Sequence, residues 1–183
     1  MKKAIPMPKI YITEAAPTPL GPIWVAANQR GLVAIAIKSD ADTFTKELAA
    51  RHKKAAISRD ETHTADVVRQ IKAYLTNERN AFELRIDWSI MTSFQQKVLR
   101  ATCAIPRAET RTYGEIAAQA GNPRAARAVG RAEATNPIPI VIPCHRVIGA
   151  DGGLHGYSSP GGLETKAWLL ELEELDVITP ARA

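Results

Sequence analysis

Apolar residues along the first part of the chain fall in short runs broken by turn formers. Ile10-Tyr11-Ile12, Ile23-Trp24-Val25-Ala26 and Leu32-Val33-Ala34-Ile35-Ala36-Ile37 are separated by Pro19, Gly21, Pro22 and the Asn28 to Gly31 stretch. Runs of this length with such short connections predict an antiparallel meander. Asp42 to His52 reads as a short helix. Asp66 to Glu78 is a stronger one, because Val67, Val68, Ile71, Tyr74 and Leu75 form one stripe at helical spacing. Phe82-Glu83-Leu84-Arg85-Ile86-Asp87-Trp88 alternates strictly, the pattern of a half-exposed strand. No motif in this half carries chemistry. Arg51, Lys53 and Lys54 read as a solvated face on a small α+β scaffold.

The pattern changes near Ser89 to Ser93, which places an expected domain boundary between residues 1–88 and 89–183. Thr92-Ser93-Phe94-Gln95 has capping-box spacing and opens a helix with Phe94, Val98, Ala101 and Ile105 on one side, ended by Pro106. The role of Cys103 on this helix is left open, with ordinary packing the favoured reading. Thr112-Tyr113-Gly114-Glu115 is a second capping box, opening a helix through Ile116 and Ala120 that stops at Gly121. A third helix is expected to start at Pro123, which makes the pair a helix-turn-helix candidate.

On that third helix Arg124, Arg127 and Arg131 recur at i, i+3 and i+7, on one face among Ala125, Ala126, Ala128, Gly130 and Ala132. Small residues let a helix approach another backbone, while arginines meet phosphates or enter a groove. The alternative is a solvated, alanine-rich helix. The last helix is expected from Leu163 to Leu175, with Glu173 on the side of Leu169 and Leu170, where a buried orienting carboxylate could stand.

Between these helices the apolar run Ile138-Pro139-Ile140-Val141-Ile142 leads into Pro143-Cys144-His145-Arg146-Val147 and a turn-rich stretch from Gly149 to Gly153. This reads as a cysteine at the end of a buried strand, beside a histidine. On the pentapeptide alone, a core cysteine and a reactive thiol are equal readings. With 2 cysteines and 4 unpaired histidines, neither a disulfide framework nor a structural zinc site is expected. Hydrophobic residues at 45% and charged residues at 23% are ordinary for a globular chain. No apolar run reaches the ~18 residues of a membrane span. Pro6, Pro8 and Lys9 interrupt any signal core after Lys2 and Lys3, so a cytoplasmic protein is expected. The net charge of +5 favours a polyanionic partner only weakly, and the placement of the arginines says more.

Phe94-Gln95-x-x-Val98, Ile105-Pro106, Thr112-Tyr113-Gly114-Glu115-Ile116-Ala117, Gly121-Asn122-Pro123, Arg127-Ala128-Val129-Gly130, Asn136-Pro137, Pro143-Cys144-His145-Arg146-Val147 and Gly156-Tyr157 occur in order. Together they resemble the O6-alkylguanine-DNA alkyltransferases (methylated-DNA–protein-cysteine methyltransferases) over roughly residues 90–175. The resemblance implies an α+β protein. Its N-terminal domain would be ribonuclease H-like, a small antiparallel sheet with helices. Its C-terminal domain would be mostly helical and winged helix-turn-helix-like, and would carry the DNA-binding and alkyl-acceptor site.

Residue by residue, the resemblance implies that Cys144 accepts the alkyl group once and is spent. His145, through a water, and Glu173 would form the relay that makes the thiolate, with Asn136 ordering the site. Tyr113 would bond the purine N3 and help rotate the nucleotide out, and Arg127 would fill the gap in the base stack. Asn122, Gln95, Gly114, Arg124 and Arg131 would lie near DNA. Pro139, Val147, Tyr157 and Ser158 would line the pocket, with Ser159 able to replace Ser158. The recognition helix would enter the minor groove, unlike most helix-turn-helix proteins.

The implied partner is double-stranded DNA containing O6-alkylguanine, with O4-alkylthymine a further candidate. No metal, cofactor or membrane is implied, and the protein would be a monomer, with clustering on DNA left open. Two departures stand out. Ala108 occupies a position where the family usually has glycine, and the loop from Tyr157 to Gly162 looks two residues longer than usual.

The chemistry suits these residues. A free thiol has a pKa of ~8.5, so an adjacent base is useful. The departing guanine gains negative charge, which a tyrosine hydroxyl can stabilise. Three other readings compete: a non-catalytic alkyl-lesion binder, a helix-turn-helix regulator and a Cys-His hydrolase. Cys144 argues against the first. The second leaves the Cys-His pair unexplained, and the third usually draws its histidine from far along the chain.

Overall fold

The structure, a computed structural model, describes residues 7–174. Lys2, Lys3 and Pro6 of the N-terminal segment, and the expected helix end at Leu175, lie outside the described residues. The chain divides into two compact units, Met1–Asp87 and Trp88–Ala183.

In the first unit, β1 (Lys9–Ala15), β2 (Ile23–Asn28) and β3 (Gly31–Ile37) form the expected antiparallel meander. All but the last residue of β2 are buried, so it reads as a continuous apolar run. Helices α1 (Ala41–Arg51) and α2 (Glu61–Leu75) follow, separated by β4 (Ala56–Arg59). The sheet order is β3-β2-β1-β4, and β4 pairs with β1 in parallel, which makes the sheet mixed rather than wholly antiparallel. No alternation in Ala-Ile-Ser-Arg announces β4. Its backbone bonds to β1 create it.

Two elements differ most from the sequence expectation. Asp60 accepts hydrogen bonds from the Thr62 and His63 amides, so α2 starts at Glu61 rather than Asp66. Phe82 to Trp88 is not a strand. Only Ile86 bridges to Leu32, with Leu32 N donating to Arg85 O (2.8 Å) and Asp87 N to Leu32 O (3.0 Å). Gly31 permits this approach, because any Cβ there would collide with the Arg85 carbonyl.

The second unit contains α3 (Ser93–Cys103), α4 (Tyr113–Gln119), α5 (Ala126–Ala134) and α6 (Gly162–Leu172). A short parallel pair joins β5 (Arg111–Thr112) to β6 (Val147–Ile148). Val98, Ile105, Ile116, Val129 and Val147 pack at its centre. The Thr112–Glu115 capping box is complete. At α3, Thr92 accepts from Gln95 N, but the Gln95 side chain turns to Thr135 and leaves the box half-made.

Helix α5 begins at Ala126 rather than Pro123, because the chain first closes a turn from Ala125 N to Asn122 O (2.9 Å). Arg124 therefore sits in the turn, not on a helical face with Arg127 and Arg131. Cys103, expected to pack, is exposed.

Ala108 is the third residue of a turn closed by Glu109 N to Pro106 O (3.3 Å), and its φ is 59°. That conformation favours glycine, so alanine stands here at some cost. Ala108→Gly should stabilise the protein by about 1 kcal/mol, the cost of a side chain in this region less glycine's extra chain entropy. A urea-unfolding midpoint measures it. An unchanged or lower midpoint would mean the turn is not strained by its Cβ.

Candidate active site

The segment before the cysteine is not a strand, despite its β-branched residues. Asn136, just past the end of α5, brackets it: Nδ2 donates to Ile142 O (3.0 Å), and Oδ1 accepts from Ile138 N (2.9 Å). Ile142 N in turn donates to Ile138 O (2.9 Å), and Ile140 takes a φ of 73°, unusual for a β-branched residue. The chain turns back on itself and enters a 3-10 turn over Cys144–Arg146. Cys144 N donates to Ile142 O (2.8 Å) and Arg146 N to Pro143 O (2.9 Å). Cys144, His145 and Arg146 thus fan around one turn, all three buried, instead of alternating between two faces.

Glu173 follows the last residue of α6 and is fully buried, not the surface glutamate that a helix-end acid is by default. His145 Nε2 lies 2.6 Å from Glu173 Oε1. Arg146 donates through Nε to Oε2 (2.8 Å) and through Nη2 to Oε1 (3.0 Å), while its Nη1 donates to Ile105 O (2.6 Å). One carboxylate therefore serves the histidine and the arginine together.

Burial lowers the His145 pKa, and Glu173 only partly offsets this. The resting imidazole is neutral. Because Glu173 accepts at Nε2, the network assigns the proton to Nε2 and leaves Nδ1 as an acceptor. Nδ1 is buried with no hydrogen-bond partner among the described residues. Burial, aided by Glu133, pushes the Cys144 thiol up to about 12, against the Asn136 hydrogen bond and Lys166. At rest the sulfur is a thiol, and making it a nucleophile would need a base.

Tyr113 opens α4 and is half-buried, with Gly130 of α5 against its ring. Burial raises its hydroxyl pKa, and Glu133 and Cys144 add to the shift. Arg127 and Arg131 on α5 are exposed, as are Arg124, Asn122 and Gly114, and the three arginines form no ion pair among the described residues. Gln95 instead donates to Thr135 O and Oγ1 (3.1 Å each), tying α3 to the end of α5. Pro139 is buried in the turn and Tyr157 is half-buried. Ser158 is exposed, whereas Ser159 is half-buried and its carbonyl accepts from Gly162 N (2.9 Å). Val147, expected in the pocket wall, instead packs its side chain in the helical core.

Three functional candidates escaped the sequence reading. Arg146 stood inside the pentapeptide without a role. Lys166 is fully buried, and its Nζ donates to Val147 O (2.6 Å) and Leu154 O (2.5 Å), tying α6 to β6 and the following loop. Burial pushes its pKa down to about 8. Glu133 is buried on α5 beside Thr102. A signal existed for two of them: Lys166 shares the Leu169, Leu170 and Glu173 stripe, and Glu133 shares the Val129 stripe. Among the described residues no group of His, Cys, Asp or Glu could hold a metal.

A buried thiol in a tight turn, beside a neutral imidazole fixed by a carboxylate, is an arrangement in which a base can generate a thiolate on demand. The comparisons narrow that chemistry. Residues 93–175 match the family model of the 6-O-methylguanine DNA methyltransferase DNA binding domain, and residues 11–88 that of its ribonuclease-like domain. A methylated-DNA–protein-cysteine methyltransferase of Methanosarcina barkeri is 43% identical over 157 residues, 86% of this chain and 93% of that protein. Another, from Mycobacterium leprae, is 53% identical over 115 residues, 63% of this chain and 68% of its own. The crystal structure of Mycobacterium tuberculosis OGT in complex with DNA aligns with a TM-score of 0.74 and 38% identity, over 91% of this chain and 92% of that one. The chain belongs to the methylated-DNA–protein-cysteine methyltransferase family.

Proposed function

We propose that this methyltransferase reverses O6-alkylguanine damage in double-stranded DNA by moving the alkyl group to Cys144 in one irreversible turnover. One observation carries the assignment: Glu173 holds His145 with Nδ1 as a buried acceptor next to the only buried cysteine among the described residues. The thiol proton passes to Nδ1 through a water, and Glu173 stabilises the imidazolium that forms. Sulfur then attacks the alkyl carbon, forming the S–C bond as the C–O6 bond breaks. The electron pair departs with guanine, where the Tyr113 hydroxyl, donating at N3, offsets the charge. The thioether product resists hydrolysis, so the molecule is spent, and the displacement consumes no cofactor.

Cys144 is only 7% exposed, out of reach of a base stacked in a duplex. The nucleotide must leave the stack, at a cost of a few kcal/mol. Arg127 is exposed among small neighbours, forms no ion pair among the described residues, and suits the gap left behind in a minor-groove approach. Arg124 from the turn, Arg131 from α5, Asn122 and the bare backbone at Gly114 suit phosphate and sugar contacts. Gln95, bonded to Thr135, buttresses the end of α5. Pro139, Tyr157 and one of Ser158 or Ser159 line the pocket. Ser159 is the better candidate, because it is half-buried and its carbonyl is tied to Gly162 N within the longer loop.

Residues 1–88 serve as scaffold and 89–183 as the DNA-binding and acceptor domain, in a monomer that works where chromosomal DNA is. No helix among the described residues is long and apolar enough to cross a membrane.

The test is to incubate the protein with a duplex containing O6-methylguanine and measure intact and peptide masses. One methyl group should appear on the Cys144 peptide, with activity ending at one equivalent. An unmodified Cys144, or repeated turnover, would overturn the proposal.

A further inference from the structure

The alkyl-transfer reaction leaves one buried acid of the second unit without a task. Glu133 lies in the last turn of α5 and is 6% exposed. Its Oε1 stands 2.5 Å from Thr102 Oγ1 on α3. Its Oε2 is buried with no hydrogen-bond partner, and Glu133 has no ion-pair partner among the described residues. The Glu133 carbonyl accepts from Asn136 N (3.1 Å), so the carboxyl hangs from the turn that sets Asn136 over the cysteine loop.

The Thr102 hydroxyl has one proton and two oxygens within reach, Val98 O at 3.1 Å and Glu133 Oε1 at 2.5 Å. An ionised Glu133 would leave one of these contacts between lone pairs alone. If Glu133 carries the proton, its O–H donates to Thr102, and Thr102 donates to Val98 O. Every contact is then satisfied. Oε2 becomes a carbonyl oxygen, which is far cheaper to bury unpaired than a carboxylate.

We propose that burial holds Glu133 as a neutral carboxylic acid donating to Thr102, and that its ionisation opposes alkyl transfer by setting negative charge against the Cys144 thiol and the Tyr113 hydroxyl. This rests on Cys144 being the alkyl acceptor. Glu133 touches no substrate in this scheme and acts only through the field at the sulfur. The groups it faces come from every neighbouring element: Lys166 on α6, Cys144 in the 3-10 turn, Tyr113 on α4 and Cys103 on α3.

Burial pushes Glu133 up to about 7, with the Thr102 bond and Lys166 pulling the other way. The sign follows directly. Below that pH the acid is neutral and the thiol loses its proton unopposed. Above it, the carboxylate raises the thiol and the tyrosine hydroxyl together.

Single-turnover methyl transfer to Cys144, followed on the full chain with an O6-methylguanine duplex, tests this against Glu133→Gln. The ratio of variant to wild-type rate should be near one at about pH 6 and rise to ~5-fold by about pH 8.5, the effect of removing one nearby like charge. Glu133→Leu, which also lacks the charge, should show the same rise. A flat ratio overturns the inference. The carboxyl state is read independently in protein labelled with carbon-13 glutamate, the Glu133 resonance being the one lost in Glu133→Gln. A midpoint near neutrality supports the neutral acid, and one in the ordinary carboxylate range overturns it. If the wild type carries no methyl on Cys144, the acceptor assignment falls instead, and the carbon titration still decides the state of Glu133.

Discussion

Cys144→Ala protein should take up no methyl group from an O6-methylguanine duplex, yet bind that duplex within a few-fold of the wild type. The substitution removes one buried sulfur from a turn held by other groups. Asn136 brackets the preceding loop, and Arg146 anchors the following residue to Glu173 and Ile105. No charge is lost, because burial keeps the resting sulfur protonated. The stability cost should be about 1 kcal/mol, that of shrinking one small buried side chain. The exposed arginines Arg124, Arg127 and Arg131, which supply the DNA attraction in the proposed function, are unaffected.

Cys103 is no substitute. It is exposed at the end of α3, and no histidine held by a carboxylate is bonded to it among the described residues. Transfer of a labelled methyl group, together with fluorescence anisotropy on the same duplex, measures both halves of the prediction. A methylated Cys103 peptide in the variant would move the acceptor away from the Glu173-held histidine. Loss of binding together with transfer would mean that the cysteine loop itself shapes the DNA surface.

How much of this could be read beforehand depended on where the information lay. The meander was legible because turn formers bracket each apolar run, and the Thr112–Glu115 cap because its partners are three residues apart. Strand β4 was not, since nothing in four residues signals it and pairing with β1 makes it. Ile138 to Ile142 misled for the opposite reason. Its branched residues favour an extended chain, but the Asn136 side chain supplies the backbone bonds a neighbouring strand would have given, and the run closes into a turn.

At the site, Cys144 and His145 are adjacent in sequence, and Glu173 showed itself by standing on an apolar stripe. Lys166 and Glu133 stand on stripes of the same kind. They were passed over because a charged residue on a helix is usually solvated, and only the tertiary structure reveals the carbonyls and the hydroxyl that accommodate them.

The same buried ionic cluster gives the other large effect. Glu173→Ala should lower stability by about 3–5 kcal/mol, because it strands the Arg146 guanidinium in the core. In the fraction that stays folded, methyl transfer should slow by about a hundredfold, because the general base His145 loses the carboxylate that orients it and stabilises its charge. Both follow from one carboxylate serving two partners. Without it, burial and the positive charges of Arg146 and Lys166 press the His145 pKa down unopposed, so the imidazolium formed on taking the thiol proton costs more. The ring also loses the bond that fixes its proton on Nε2.

Glu173→Gln separates the two effects. Glutamine keeps the volume and one accepting oxygen, but its amide N–H groups must face either the His145 Nε2–H or the Arg146 donors. The variant should therefore be more stable than Glu173→Ala and still transfer slowly. Urea unfolding and single-turnover rates at low temperature read these quantities apart. Transfer at the wild-type rate by folded Glu173→Ala would remove His145 from the reaction, because that imidazole would then have no carboxylate to stabilise its charge.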